Sequence, residues 1–247
     1  MKINQRILSR FTVILPPYFW LLIFYLFPVL AYAQNAHDDH PSIFHALILE
    51  GDIGDSREGT LTTWDLDGWV GGDYHKLWLK SEGESVEGDL HRAEFWAMYS
   101  RNVAEFWDLQ AGIRYDTKPE NTSYLVAGFT GLAPYFFETE AHIFISDEGD
   151  LSARLRQEND ILITQRLIAQ PYFEINLNAQ DIPEQEIGAG LSSGELGLQT
   201  RYEITRKFAP YIDIRYESKL GETSRITRNN NESRDDFITS AGIRLLF

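Results

Sequence analysis

The last twelve residues, Asp236 to Phe247 (DFITSAGIRLLF), alternate with a period of two and stop on an aromatic side chain. Phe237, Thr239, Ala241, Ile243, Leu245 and Phe247 share one face, and Ile238, Ser240, Gly242, Arg244 and Leu246 the other. Successive side chains of an extended chain point to opposite faces, so the segment reads as a strand. Its apolar face must be covered, either by a second sheet of a soluble sandwich or by lipid. The rest of the chain separates these two.

From residue 44 onward the same logic repeats. Segments of about ten residues alternate apolar with polar side chains between turn residues, the pattern of a membrane barrel. The predicted strands are 44–52, 61–73, 76–84, 87–99, 106–116, 122–132, 135–146, 151–163, 166–178, 191–205, 209–220 and the terminal one. That makes about twelve, the even number that a closed antiparallel bacterial barrel needs. In 106–116, Trp107, Leu109, Ala111, Ile113 and Tyr115 oppose Asp108, Gln110, Gly112, Arg114 and Asp116. The exterior of a soluble sandwich would be dominated by solvated Lys and Glu. Here the polar faces instead mix Arg with carboxylates (Arg114/Asp116, Arg154/Arg156/Glu158, Arg201/Glu203), as expected of a lumen. Trp64, Trp107, Tyr115, Tyr202 and Tyr216 lie on the apolar faces and read as interfacial aromatics. The expected fold is therefore all-β: an antiparallel transmembrane outer-membrane β-barrel spanning 44–247. The terminal strand should pair back onto 44–52, with Arg244 in the lumen. Residues 221–235 (GETSRITRNNNESRD) read as a mobile outward-facing loop.

The first 33 residues are a separate object. Lys2, Arg6 and Arg10 precede the apolar stretch 11–30, and Ala31-Tyr32-Ala33 forms an A-x-A site. This pattern predicts an export signal cleaved after Ala33, in preference to a single membrane anchor, because Pro16, Pro17 and Pro28 interrupt the stretch. Residues 34–43 follow as a short polar tail. Losing the three positive residues of the signal takes the net charge from −15 to −18. Such an acidic chain is a poor partner for nucleic acid and a good one for cations, although solubility alone accounts for it equally well. With no Cys in the chain, disulfide frameworks and thiolate metal sites are excluded.

Several strings resemble the bacterial copper resistance protein B family: WDLDGWVGGDYHKLWLKSEGE (64–84), AEFWAMYSRNVAEFWDLQAGIRYD (93–116), GLAPYFFETEAHIF (131–144), ENDILITQRLIAQPYFEINL (158–177), GLSSGELGLQTRYEI (190–204) and FAPYIDIRYESKLGET (208–223). The resemblance implies an outer-membrane protein of a Gram-negative cell that binds copper and serves copper homeostasis. It also implies a Met- and His-rich segment between signal and barrel. Here that segment is short and has no Met; the only Met after the signal is Met98. Copper chemistry is then expected in or on the barrel, or with a periplasmic copper-handling partner.

Three groups are candidate ligands. His37, His40 and His45, beside Asp38 and Asp39, could hold Cu(II) through imidazole and carboxylate; a plain polar tail is the alternative. Met98 shares a face with Arg92, Glu94 and Trp96, where a thioether would suit Cu(I), or would simply fill a gap beside Trp96. Glu138, Glu140 and His142 follow at every second residue, so two could share an ion with help from a neighbouring strand; Arg–carboxylate ladders are the competing use. Enzymatic chemistry is not expected. His142 and Ser146 are roughly 13 Å apart on one strand, too far for a base to activate a nucleophile. A narrow structural barrel, or a non-specific small porin with partner-binding loops, is the rival to copper binding or passage.

Overall fold

The structure, a computed structural model, describes residues 43–230 and 233–247. The export signal, the polar tail and the candidate ligands His37 and His40 lie outside the described residues.

Twelve antiparallel strands form one closed sheet. They are β1 (Phe44–Ser56), β2 (Gly59–Gly71), β3 (His75–Val86), β4 (Asp89–Ala104), β5 (Trp107–Lys118), β6 (Thr122–Ala133), β7 (Phe137–Ser146), β8 (Leu151–Glu158, resuming at Ile161–Leu162), β9 (Leu167–Asn178), β10 (Gly190–Tyr202), β11 (Phe208–Lys219) and β12 (Asp235–Leu246). The two pieces of β8 keep one register on β9, since Glu158 faces Tyr172 and Ile161 faces Ala169. The gap has a local cause. Asn159 N–H donates to Pro171 C=O at 3.1 Å, and Pro171 has no N–H to return the bond.

Closure comes from the terminal strand. β12 pairs with β1 from Ile48↔Leu246 to Asp55↔Thr239, as expected, and Phe247 exchanges backbone hydrogen bonds with Leu47 at 2.9 and 3.3 Å. No ladder edge is left for another chain. Among the described residues no helix is long and apolar enough to cross a membrane; the crossing is made by strands.

The alternation places apolar side chains outside and charge inside. Ile113, Leu125, Ile143, Leu198 and Ile212 are exposed, while Glu94, Asp116, Arg201 and Asp213 are buried. This inverts the arrangement of a water-soluble domain and fits a lipid-facing wall around a polar interior. The start of β1, the end of β12 and the short connections share one rim, which aromatics crowd: Phe44, Tyr74, Phe106, Tyr135, Phe136 and Phe247 are all exposed there. Trp107 and Tyr202 belong to that girdle, and Tyr115 and Tyr216 lie toward the other rim. Trp64 departs from expectation. It is mid-strand, donating from Nε1 to Ser81 Oγ at 3.2 Å, with its ring in the space a side chain at Gly83 would need.

The opposite rim carries tight turns and two longer connections, 179–189 and 220–234. At Glu87-Gly88 both turn residues have positive φ (51° and 93°), the handedness that matches strand twist in a two-residue hairpin. The predicted mobile loop is corrected here: Gly221–Asn229 is an α-helix, α1. Its buried side chains, Thr223 and Thr227, are polar and four residues apart, so no apolar stripe marks the helix in the sequence. Gly188 N–H donates to Thr223 Oγ1 at 3.0 Å, tying α1 to the neighbouring loop.

Candidate functional site: the barrel lumen

Cross-strand register lines up the charges of the lumen. Glu50, Asp65, Glu82, Glu94 and Asp116 are successive partners on β1 to β5, an unbroken row of five carboxylates. Across the barrel Glu174, Glu195 and Glu217 face one another on β9, β10 and β11. Directly opposed like charges destabilise a sheet. Cations must intervene, and the chain supplies some of them from the facing wall.

Two arginines of β8 span the lumen. Arg154 reaches Glu94 at 3.1 Å and Glu82 at 3.6 Å, and touches Glu174 at 3.5 Å on the adjacent strand. Arg156 reaches Asp65 at 3.7 Å. Lys80 of β3 bridges in the other direction, to Glu140 of β7 at 2.6 Å, while also holding Asp67 at 2.9 Å. Arg114 binds Glu94 and Asp116 at 3.1 and 2.5 Å. Arg244 is paired with Glu50 at 2.9 Å, in the lumen as expected. The interior is braced from wall to wall by charge-assisted hydrogen bonds.

Among the described residues the braces leave at least two cavities. One, about 130 Å³, lies on the β1, β2 and β9–β11 side and is lined by nine carboxylates against three guanidinium groups. The other, about 240 Å³, opens beneath the loops of the α1 rim and includes Ile182, Gln185 and Ile187 of the 179–189 connection. Arg92 borders both, at the partition where Glu82, Glu94 and Arg154 meet.

The structure disperses the predicted ligands. Met98 is wholly buried in a cluster with Trp96, Val126 and Phe144. His142 meets the edge of the Trp96 ring at a centroid separation of 5.5 Å, and its Nε2 lies 2.8 Å from Gln110 Oε1. Met98 and His142 thus rest against the same two rings, Trp96 and Phe144. Glycines on the strands between make room. Gly112 faces Met98 and Gly128 faces His142, and a Cβ at either would collide with the neighbouring strand. Glu94 is engaged by Arg114, Arg154 and Trp96 Nε1, and Glu140 by Lys80. Glu138 is exposed and faces Glu158 across the ladder. His45 is exposed on β1 opposite Val70, away from the lumen group. Among the described residues no three or more His, Cys, Asp or Glu side chains converge as a metal-holding group.

Sequence reasoning placed the lumen residues on the correct face but missed which of them meet across it. Lys80, Arg154 and Arg156 were legible as lumen charges. Their partners across the lumen, Glu140 for Lys80, Glu82 and Glu94 for Arg154 and Asp65 for Arg156, lie four to six strands away, beyond what a period of two can report.

The chain resembles known proteins in sequence and in shape. A profile of the family described as "Copper resistance protein B precursor (CopB)" matches residues 45–247. The Escherichia coli protein called Copper resistance protein B is 38% identical over 216 residues, 86% of this chain and 73% of that protein. A Copper resistance protein B homolog from Pseudomonas syringae pv. tomato is 36% identical over 218 residues, 87% of this chain and 74% of that protein. Among solved structures, the NanC porin superposes with a TM-score of 0.55 at 11% identity, covering 80% of this chain and 98% of that one. The KdgM porin in complex with disordered oligogalacturonate gives 0.52 at 8% identity, with coverage of 80% and 98%. At such identities the likeness concerns the fold alone, an outer-membrane barrel.

Proposed function

The chain belongs to the copper resistance protein B family and serves copper resistance at the outer membrane, and we propose that it does so by binding copper and passing it through its acidic lumen. The observation that carries this reading is the unbroken carboxylate row from Glu50 to Asp116, facing the Glu174–Glu195–Glu217 row. A low-dielectric wall lined by one sign of charge concentrates counter-ions and selects cations over anions. Copper is the cargo, outer-membrane lipid the surrounding solvent, and a periplasmic copper-handling protein the proposed partner at the aromatic rim. Met98 and His142, set against the same rings, are the proposed soft contact for Cu(I). Glu94 and Glu140 supply carboxylates whose Arg and Lys partners an entering cation displaces, and Glu138 supplies one beside Glu158. His37, His40 and His45 are the proposed capture group for Cu(II).

Purified barrel in lipid vesicles enclosing a copper indicator tests this. Copper should enter faster than into protein-free vesicles, and the double variant Met98→Leu/His142→Ala should slow Cu(I) entry. Absence of both flux and copper binding would sink the reading. It would favour the narrow structural barrel, which the wall-to-wall ion pairs also suit. Unchanged Cu(I) entry in the double variant would remove the soft contact alone.

A further inference from the structure

Among the described residues four buried side-chain atoms have no hydrogen-bond partner: Asp52 Oδ1, Gln110 Nε2, Gln199 Oε1 and Ser240 Oγ. Three of the four fall in one sector, between β10 and β1. Gln199 faces Asp213 across the ladder, and Asp213 faces Ser240. Asp52 joins them through Tyr211, whose hydroxyl donates to Asp52 Oδ2 at 2.9 Å.

The orientation of Gln199 is fixed by its neighbour. Its Nε2 donates to Glu50 Oε2 at 2.9 Å, and an ionised carboxylate can only accept, so Oε1 is necessarily the atom left over. Asp52 and Gln199, 9% and 8% exposed, both line the acidic cavity of about 130 Å³. The other acids of the sector have their cations: Glu50 has Arg244 at 2.9 Å and Asp213 has Arg215 at 3.3 Å. Among the described residues Asp52 has no cationic partner and accepts a side-chain hydrogen bond from the Tyr211 hydroxyl alone.

A buried carboxylate without a counter-charge is costly, and so is each buried acceptor without a donor. Water could satisfy the acceptors but leaves the charge uncompensated. A hydrated cation answers both deficits, and the cavity has volume for an ion with several waters. Every group offered is an oxygen. Oxygen donors take hard or borderline divalent ions, whereas Cu(I) seeks sulfur and imidazole.

We propose that Asp52 and Gln199, backed by Asp213 and Ser240, form an oxygen-donor site for a divalent cation that keeps part of its water shell, and that copper occupies it as Cu(II). The site stands on its own geometry; only the naming of copper as its natural ion rests on the proposed copper passage.

Full-length barrel folded in detergent is titrated with Mn(II), an oxygen-seeking ion visible by electron paramagnetic resonance, and separately with Cu(II). One saturable Mn(II) site is expected, with affinity at least tenfold weaker in Asp52→Asn and unchanged in Glu222→Gln on α1. In a background with His37, His40 and His45 replaced by alanine, the Cu(II) spectrum should show no nitrogen hyperfine structure. Heat-modifiable gel migration verifies folding; should Asp52→Asn not fold, Gln199→Leu takes its place with the same expectation. Absence of Mn(II) binding, affinity untouched by the substitution, or a nitrogen-ligated Cu(II) signal that persists in the histidine-free background would each overturn the site. Mn(II) binding in a barrel that shows no copper flux would keep the site and overturn only the passage.

Discussion

At the scale of single residues the lumen depends on pairs that cannot be dissolved from one side. Glu94 is 1% exposed and leans on Arg114 and Arg154 at 3.1 Å each. Truncating one member of a buried pair strands the other, at a cost of about 3–5 kcal/mol. Arg154→Ala should lower the unfolding midpoint accordingly in a denaturant series on detergent-folded protein, and should raise bilayer conductance because the partition loses its span. Adding Glu94→Gln should restore part of the stability, since one of the three carboxylates that Arg154 held then carries no charge. Met98→Leu keeps volume, so it should cost less than about 1.5 kcal/mol; any larger effect on Cu(I) entry then belongs to the sulfur.

At the scale of elements, α1 and the interrupted β8 behave differently from the remaining wall. α1 contributes no ladder bond to the barrel and is held through Thr223 and Gly188. Arg225→Pro, in mid-helix, should cost the helix about 3 kcal/mol yet leave the barrel's midpoint in place. Protease cleavage after Arg228 should accelerate while heat-modifiable migration stays unchanged. The two elements also mark where the sequence stopped being legible. Strand positions and faces followed from period two, because lipid outside and charge inside make the alternation unusually clean. α1 escaped because its buried face is threonine rather than aliphatic. The break in β8 escaped because its cause, Pro171, sits on the neighbouring strand. The lumen contacts escaped for a related reason: alternation tells which face a residue occupies but carries no information about the opposite wall. Arg154 and Glu94, sixty residues apart in the chain, share no sequence pattern that would have matched them.

For the whole molecule, two properties follow from charge and closure. A lumen whose carboxylates outnumber its guanidinium groups should pass cations in preference to anions, so the reversal potential in a potassium chloride gradient should have the sign of cation selectivity, and anion selectivity would contradict the proposed passage. The closing ladder predicts a separation of assembly from stability. Phe247 joins Leu47 through its backbone, and its ring is exposed on the girdle. Phe247→Ser should therefore leave the thermal unfolding of purified barrel nearly unchanged while lowering the yield of folded protein in the outer membrane.

That ladder also sets an order of events. β1 finds its second neighbour only in β12, the last strand of the sheet in chain order, so the sheet stays open until β12 is available. No partial chain can hide its polar interior from lipid or its apolar wall from water. The protein has to be carried as an unfolded whole to the membrane where it closes, and any hold-up on that journey exposes nearly every strand at once.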